Sequence, residues 1–152
     1  MSIEIERKFL VDNEKWDKVI KPDGKLIHQG YLHSDNNKTV RVRYTNIKGY
    51  ITIKGKQVGI SRPEFEYEIP LIDAIDLYNN FCESRIIKNR YFIEYSGFTW
   101  EVDEFMGENL GLITAEVELE NESVELTTIP DWILEDVTHD DKYKNSNIAK
   151  SK

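Results

Sequence analysis

A single cysteine, few prolines and no long apolar run set the first limits on this 152-residue chain. Cys82 stands alone, so no intrachain disulfide and no thiolate metal cluster can form. It is expected to pack as a small hydrophobe in the helical stretch around it. No segment is apolar over the length a bilayer crossing needs, and no charged n-region followed by an apolar h-region opens the chain, which reads as cytoplasmic. Basic charge is in the minority, 20 Lys and Arg against 28 Asp and Glu, for a net charge of -8. A general nucleic-acid or anionic-membrane binder needs the opposite balance, so neither partner is expected. His28, His33 and His139 are scattered rather than set at ligand spacing, which argues against zinc. "GENLG" lacks the spacing and the lysine of a phosphate loop and reads as a hairpin turn. Repeats, low-complexity stretches and linkers are absent, so one domain over 1–152 is expected, with only the final "KSK" frayed.

What the chain has is alternation. "IEIERKFLV" puts Glu4, Glu6 and Lys8 at every second position between Ile3, Ile5 and Phe9. In a strand, alternate side chains point to opposite faces. The same pattern recurs in "TVRVRY" (Thr39, Arg41, Arg43), "YITIKGK" (Thr52, Lys54, Lys56) and "PEFEYEI" (Glu64, Glu66, Glu68). It returns in "IIKNRYFIEY" (Lys88, Arg90, Phe92, Glu94), "FTWEVDEF" (Thr99, Glu101, Asp103) and "ITAEVELE" (Thr114, Glu116, Glu118, Glu120). The opposite faces are β-branched and aromatic, which supports strands throughout. Helices are expected only at Asn13–Ile20, at Leu71–Cys82 and in a final segment capped by Thr138. Trp16, Trp100 and Trp132 read as packing residues.

An antiparallel sheet usually turns its polar face to water and carries a mixture of uncharged and charged side chains there. Here the polar faces are almost wholly ionisable and segregated by sign, strand by strand. Like charges side by side on a sheet are unfavourable, so something external has to compensate them. Roughly eight strands can close into a barrel with these faces inward. Its carboxylates would then bind divalent cations, and its guanidinium and ammonium groups a polyanion.

"EIERK" resembles the ExExK signature of the CYTH superfamily, the triphosphate tunnel metalloenzymes. "VRVR", "ITIKGK", "SRPEFEYEIP", "KNRY", "WEVDEFMG", "GLITAEVELE" and "DVTHDDKYKNSNIA" follow in the family's order along essentially the whole chain. The resemblance implies an α+β, mainly β fold: an eight-stranded antiparallel closed barrel with helices packed outside. It implies Mg²⁺ or Mn²⁺ held among Glu4, Glu6, Glu64, Glu66, Asp103, Glu116 and Glu118. It implies a triphosphate bound by Lys8, Arg41, Arg43, Lys54, Lys88 and Arg90, with catalysis resting on Glu4, Glu6, Lys8, Glu116 and Glu118; Arg62, on the charged face beside Pro63 at a strand start, reaches either the ligand or only the rim. The family's C-terminal helix lies near one tunnel mouth, which would bring Lys142 and Tyr143 to the site. Three glutamates share the "PEFEYEI" face, so the inward pair is either Glu64/Glu66 or Glu66/Glu68; Lys56 and Glu101 sit toward strand ends, where solvated roles compete.

The chemistry agrees with the resemblance. A triphosphate is a dense polyanion that both guanidinium forks and metal ions neutralise. Mg²⁺ and Mn²⁺ take oxygen ligands and keep several waters, so a few carboxylates plus phosphate oxygens complete their shell. Phosphoryl transfer then needs positioning and charge stabilisation rather than a nucleophilic Ser or Cys. The short bacterial tripolyphosphatase-like members are the nearest pattern. Class IV adenylyl cyclases, thiamine triphosphatases and a non-catalytic polyphosphate or nucleotide sensor use similar interiors, and the oligomeric state is not legible.

Overall fold

Residues 2–150 are described by the computed structural model; the tail from Ser151, expected to fray, lies outside them. The strands are β1 (Ile3–Val11), β2 (Lys25–Ser34), β3 (Lys38–Tyr44), β4 (Gly49–Gly55), β5 (Ser61–Ile69), β6 (Ser84–Tyr95), β7 (Phe98–Phe105), β8 (Ile113–Glu118) and β9 (Ile133–Asp136). Every pairing is antiparallel, in the order β5-β4-β3-β2-β6-β7-β8-β1. Pairing of Ile3–Ile5 with Ser61–Pro63 then joins the two ends into a closed eight-stranded barrel. The short β9 lies along the remaining edge of β1.

Closure sets one face of each strand inward, and in every barrel strand but β2 that inward face is the ionisable one. The apolar faces are therefore left outside, and the main hydrophobic core forms on the outer wall. Phe9, Trp100, Val102, Ala115 and Val117 of β1, β7 and β8 pack there under Trp16 of α1 (Asn13–Asp17) and Trp132. Asp12 caps α1 by accepting from the Lys15 amide. A second outer cluster lies where α2 (Leu71–Asn80) covers Val42 with Ala74 and Tyr78. Cys82 packs against it and donates weakly to the Leu77 carbonyl.

One end of the interior is apolar. Tyr31, Ile86 and Phe105 meet Ile148 and Ala149 of α3 (Asn145–Lys150), so the C-terminal helix plugs that end. Two expectations are corrected here. Thr138 does not cap a helix: its hydroxyl accepts from the Lys8 amide and bonds Asp136, while Asp140 caps a short turn at Asp141–Tyr143 that precedes α3. β2 and β9 go beyond the strands read from alternation. β2 carries Ile27, Gln29 and Tyr31 on its buried face, so the charged signature that marks the other strands is missing.

Candidate active site

The barrel encloses a cavity of about 160 Å³ whose wall is built from alternate residues of most of the strands. Register puts the groups together. Glu6 sits opposite Glu118, Lys8 opposite Glu116, and Glu116 opposite Glu101. Across the barrel, Lys54 stands between Thr39 and Glu64, Thr52 stands between Arg41 and Glu66, and Glu4 pairs with Arg62.

One wall is acidic. Carboxylate oxygens of Glu4, Glu6 and Glu118 all lie within 4.8 Å of one another. Burial, then the neighbouring Glu116 carboxylate, pushes Glu6 well above the ordinary carboxyl range, and Glu6 donates a hydrogen bond to Glu116. Glu116 is buried too, yet Lys8, that hydrogen bond, Arg90 and Lys88 hold it well below the usual value. Glu118 is raised by burial and by Glu4. Glu4 itself, despite burial, is lowered by Lys54, whose Nζ donates to both its oxygens at 2.9 and 3.0 Å. Glu64, 3.6 Å from Lys54, is pushed up to about 7 by burial and the Glu4 charge. Three clustered carboxylates, two of them raised by burial and by the charge of their neighbours, are the hard oxygen donor set that a divalent cation fits.

The facing wall is basic. Arg41 and Arg43 lean on Glu66, with Nη2 atoms 3.4 Å from its Oε2, and Thr52 donates to the same oxygen at 2.8 Å. Arg62 holds the Gly55 carbonyl through Nε and Nη2. Arg41 Nε is buried with no partner among the described residues, a donor left for a ligand.

Behind these walls lies a buried ion network. Arg90 clamps Asp103 through Nε and Nη2 at 2.7 and 2.8 Å, and reaches Glu101 at 2.7 Å and Glu116 at 3.3 Å. Lys88 Nζ lies 2.8 Å from Asp103, both side chains being 1% exposed. Burial drives Lys88 down to about 7, with Arg90 adding to the fall and Asp103 opposing it.

Twelve of the residues picked from the sequence therefore line the cavity: Glu4, Glu6, Lys8, Arg41, Arg43, Lys54, Arg62, Glu64, Glu66, Arg90, Glu116 and Glu118. Three do not. Asp103 and Lys88 lie beneath the wall, each satisfied by ion pairing. Lys142 is exposed with its ammonium over the Tyr143 ring, because it sits on the outer side of the turn before α3. Lys144, two residues on, reaches the cavity instead, and the Tyr143 carbonyl accepts from Lys8 Nζ at 2.6 Å. Of the two glutamate pairs left open, Glu64/Glu66 lines the cavity, while Glu68 is exposed at the rim, 3.7 Å from Lys48. Glu101 also lines it, bound to Arg90. Tyr31, Thr138, Asn145 and Ser146 were not legible as site residues. Only Tyr31 had a signal, the period-2 triplet Ile27, Gln29, Tyr31; the others reach the cavity from turns and a helix.

The CYTH domain model matches residues 2–150, nearly the whole chain. The chain belongs to the CYTH family. Among its relatives, the inorganic triphosphatase of Acetivibrio thermocellus is 49% identical over 152 residues, covering 99% of this chain and 96% of that protein. The inorganic triphosphatase of Nitrosomonas europaea is 34% identical over 155 residues, covering 97% of each. A crystal structure of an inorganic triphosphatase superposes with a TM-score of 0.69 at 31% identity, over 100% of this chain and 97% of that one. A putative adenylyl cyclase from Hippeastrum, described as having a dominant triphosphatase activity, shares the fold at 15% identity and a TM-score of 0.56, over 80% of each chain. CYTH membership carries a divalent-metal dependence, which the Glu4, Glu6 and Glu118 cluster suits.

Proposed function

We propose that this CYTH protein is a single-domain, metal-dependent triphosphatase whose preferred substrate is inorganic tripolyphosphate. The observation that carries the reading is the division of one cavity inside the barrel into a carboxylate wall and a guanidinium wall. A linear polyphosphate lies between them, its oxygens taking charge-assisted hydrogen bonds from Arg41, Arg43, Lys54 and Arg62. Glu4, Glu6 and Glu118, with Glu116 beside them, would hold Mg²⁺ or Mn²⁺, which supplies phosphate charge neutralisation and an acidified water when bound. The chain's own residues bind and align the phosphates, exclude bulk water and, through Lys8 and Arg90, fix the orientation of Glu116. Water adds to the terminal phosphorus, the bridging P–O bond breaks, and pyrophosphate and orthophosphate leave. The named relatives, both called inorganic triphosphatase, support this reading. Among the described residues no helix is long and apolar enough to cross a membrane; we assign the protein to the cytoplasm.

The test is a substrate panel with Mg²⁺ and Mn²⁺, reading phosphate and cyclic AMP together. A triphosphatase needs only the terminal phosphoryl group positioned against water, whereas a cyclase must also fix a ribose hydroxyl. Tripolyphosphate is expected to exceed ATP in kcat/KM, pyrophosphate to be poor because it spans fewer basic residues, and cyclic AMP to be absent. Robust cyclic AMP formation from ATP would promote the cyclase reading, and no turnover of any substrate would leave a sensor.

A further inference from the structure

Gln29 stands out among the buried polar groups. It is fully buried on β2, between Arg43 of β3 and Ile86 of β6 in register, and its Oε1 has no hydrogen-bond partner among the described residues. A buried amide oxygen left unpaired is destabilising, so packing alone would favour an apolar residue such as Ile27, two positions earlier on the same face. The amide does have one partner: Nε2 donates to the Tyr31 hydroxyl at 2.8 Å. Gln29 and Tyr31 are two residues apart on one strand, so both point inward.

Tyr31 is held at both ends. Its ring packs against Ile86, Phe105, Ile148 and Ala149, its oxygen accepts from Gln29, and it lines the tunnel cavity. A phenol oxygen accepts through a lone pair while still offering its single proton. Because Gln29 meets the oxygen as a donor, that proton turns away from the amide, and it has no acceptor among the described residues. Burial raises the hydroxyl above its ordinary range, against the pull of Arg41 and Lys54, so the group stays protonated. Glu116, whose charge also acts on Tyr31, already accepts from Glu6 and Arg90. Arg41 lies directly opposite Tyr31 on β3, lines the same cavity, and keeps its Nε buried without a partner. Two unused donors therefore stand side by side on adjacent strands.

We propose that Gln29 is a positioning residue that turns the Tyr31 hydroxyl proton into the tunnel, where it joins Arg41 Nε in donating to a phosphate oxygen of the substrate. The inference rests on the triphosphatase reading for the substrate and adds two neutral side chains to a wall otherwise built from charge. Tyr31 gives a hydrogen bond, and no proton changes hands.

The experiment compares the full chain with Tyr31→Phe, Gln29→Met and the double variant, reading kcat and KM for tripolyphosphate with Mg²⁺ and equilibrium binding of tripolyphosphate without metal. Phe keeps the ring against α3, and Met keeps the length of Gln without its donor; Gln29→Leu is the second donorless variant should Gln29→Met fail to fold. Tyr31→Phe is expected to raise KM and Kd about tenfold, through loss of a hydrogen bond to a charged acceptor, and Gln29→Met about fivefold. Both losses should fall on KM more than on kcat, as they do when ground-state binding is removed. The double variant decides: it should bind no more weakly than Tyr31→Phe alone, because Gln29 acts only through that hydroxyl. Losses that multiply in the double variant would give Gln29 a separate, structural effect, and a Tyr31→Phe protein with wild-type affinity would remove the donor; either result overturns the proposal. Binding is read without turnover, so the two readings fail separately. A protein that shows the non-additive pattern in Kd but cleaves nothing keeps the positioning role and loses the triphosphatase; normal turnover with multiplying losses does the reverse.

Discussion

Arg90 shows how a residue chosen for one role serves another. Its guanidinium is surrounded by Asp103, Glu101 and Glu116, so little of the fork is left for phosphate. Removing one partner of a buried ion network strands the others in low dielectric. Arg90→Ala is therefore expected to destabilise the fold by about 3–5 kcal/mol in urea unfolding, as well as to abolish activity. Arg90→Lys restores only part of this, because a single ammonium cannot reproduce the two-point clamp on Asp103. Glu64 yields a sharper test. Its folded value of about 7 lies above the ordinary 4.5, so the folded state binds the extra proton. The stability from that proton is fully present below about 4.5 and is lost as pH rises toward 7. Metal-free protein should lose Tm over that window, and Glu64→Gln should flatten the profile and raise Tm at pH 8. A Glu64→Gln profile that still falls between 4.5 and 7 would assign the loss to other groups.

At the scale of elements, two glycines let α2 lie flat against the barrel. A Cβ at Gly49 would stand 2.4 Å from the Ala74 Cβ, and one at Gly30 would stand 2.5 Å from Cys82 Sγ. Neither site needs a left-handed backbone; the requirement is space beneath a helix. Gly49→Ala should cost about 1–3 kcal/mol through overpacking. Ala74→Gly alone costs about 1 kcal/mol of helix propensity. Because the two substitutions meet at one contact, the double variant should be more stable than the sum of the two losses, which a denaturant double-mutant cycle measures. β2 illustrates the opposite difficulty. Its inward Gln29 donates to the Tyr31 hydroxyl at 2.8 Å, so the strand adds neutral polar groups to a charged barrel and carries no sign pattern to betray it.

The whole molecule is a barrel turned inside out, with charge within and tryptophans outside. Such an interior is stable on its own only because protons and internal cations offset the carboxylates. A divalent ion that displaces the Glu6–Glu116 proton should release it to solvent and stabilise the folded state, by about 2.7 kcal/mol at a hundredfold excess over Kd. Glu6→Gln separates metal binding from folding. Its amide can still donate to Glu116, so metal-free Tm should hold while the rise in Tm with Mg²⁺ or Mn²⁺, the proton release and the activity disappear. A full metal-induced rise in that variant would place the ion elsewhere.

Alternation alone was enough to pick out seven strands and their charged faces, because side-chain direction in a strand follows from position parity and needs no tertiary information. The family likeness in "EIERK" and the segments after it extended that to closure. Which residues stand at the wall and which lie behind it was settled only by register and packing: Asp103 and Lys88 obey the same parity as Glu101 and Arg90 but sit lower in the barrel, where they neutralise each other. Lys144 displaced Lys142, and Glu64/Glu66 was preferred over Glu66/Glu68, for the same reason. Parity tells which way a side chain points, whereas depth along the barrel and the path of a turn depend on contacts between residues more than a hundred positions apart, such as Lys8 and Tyr143.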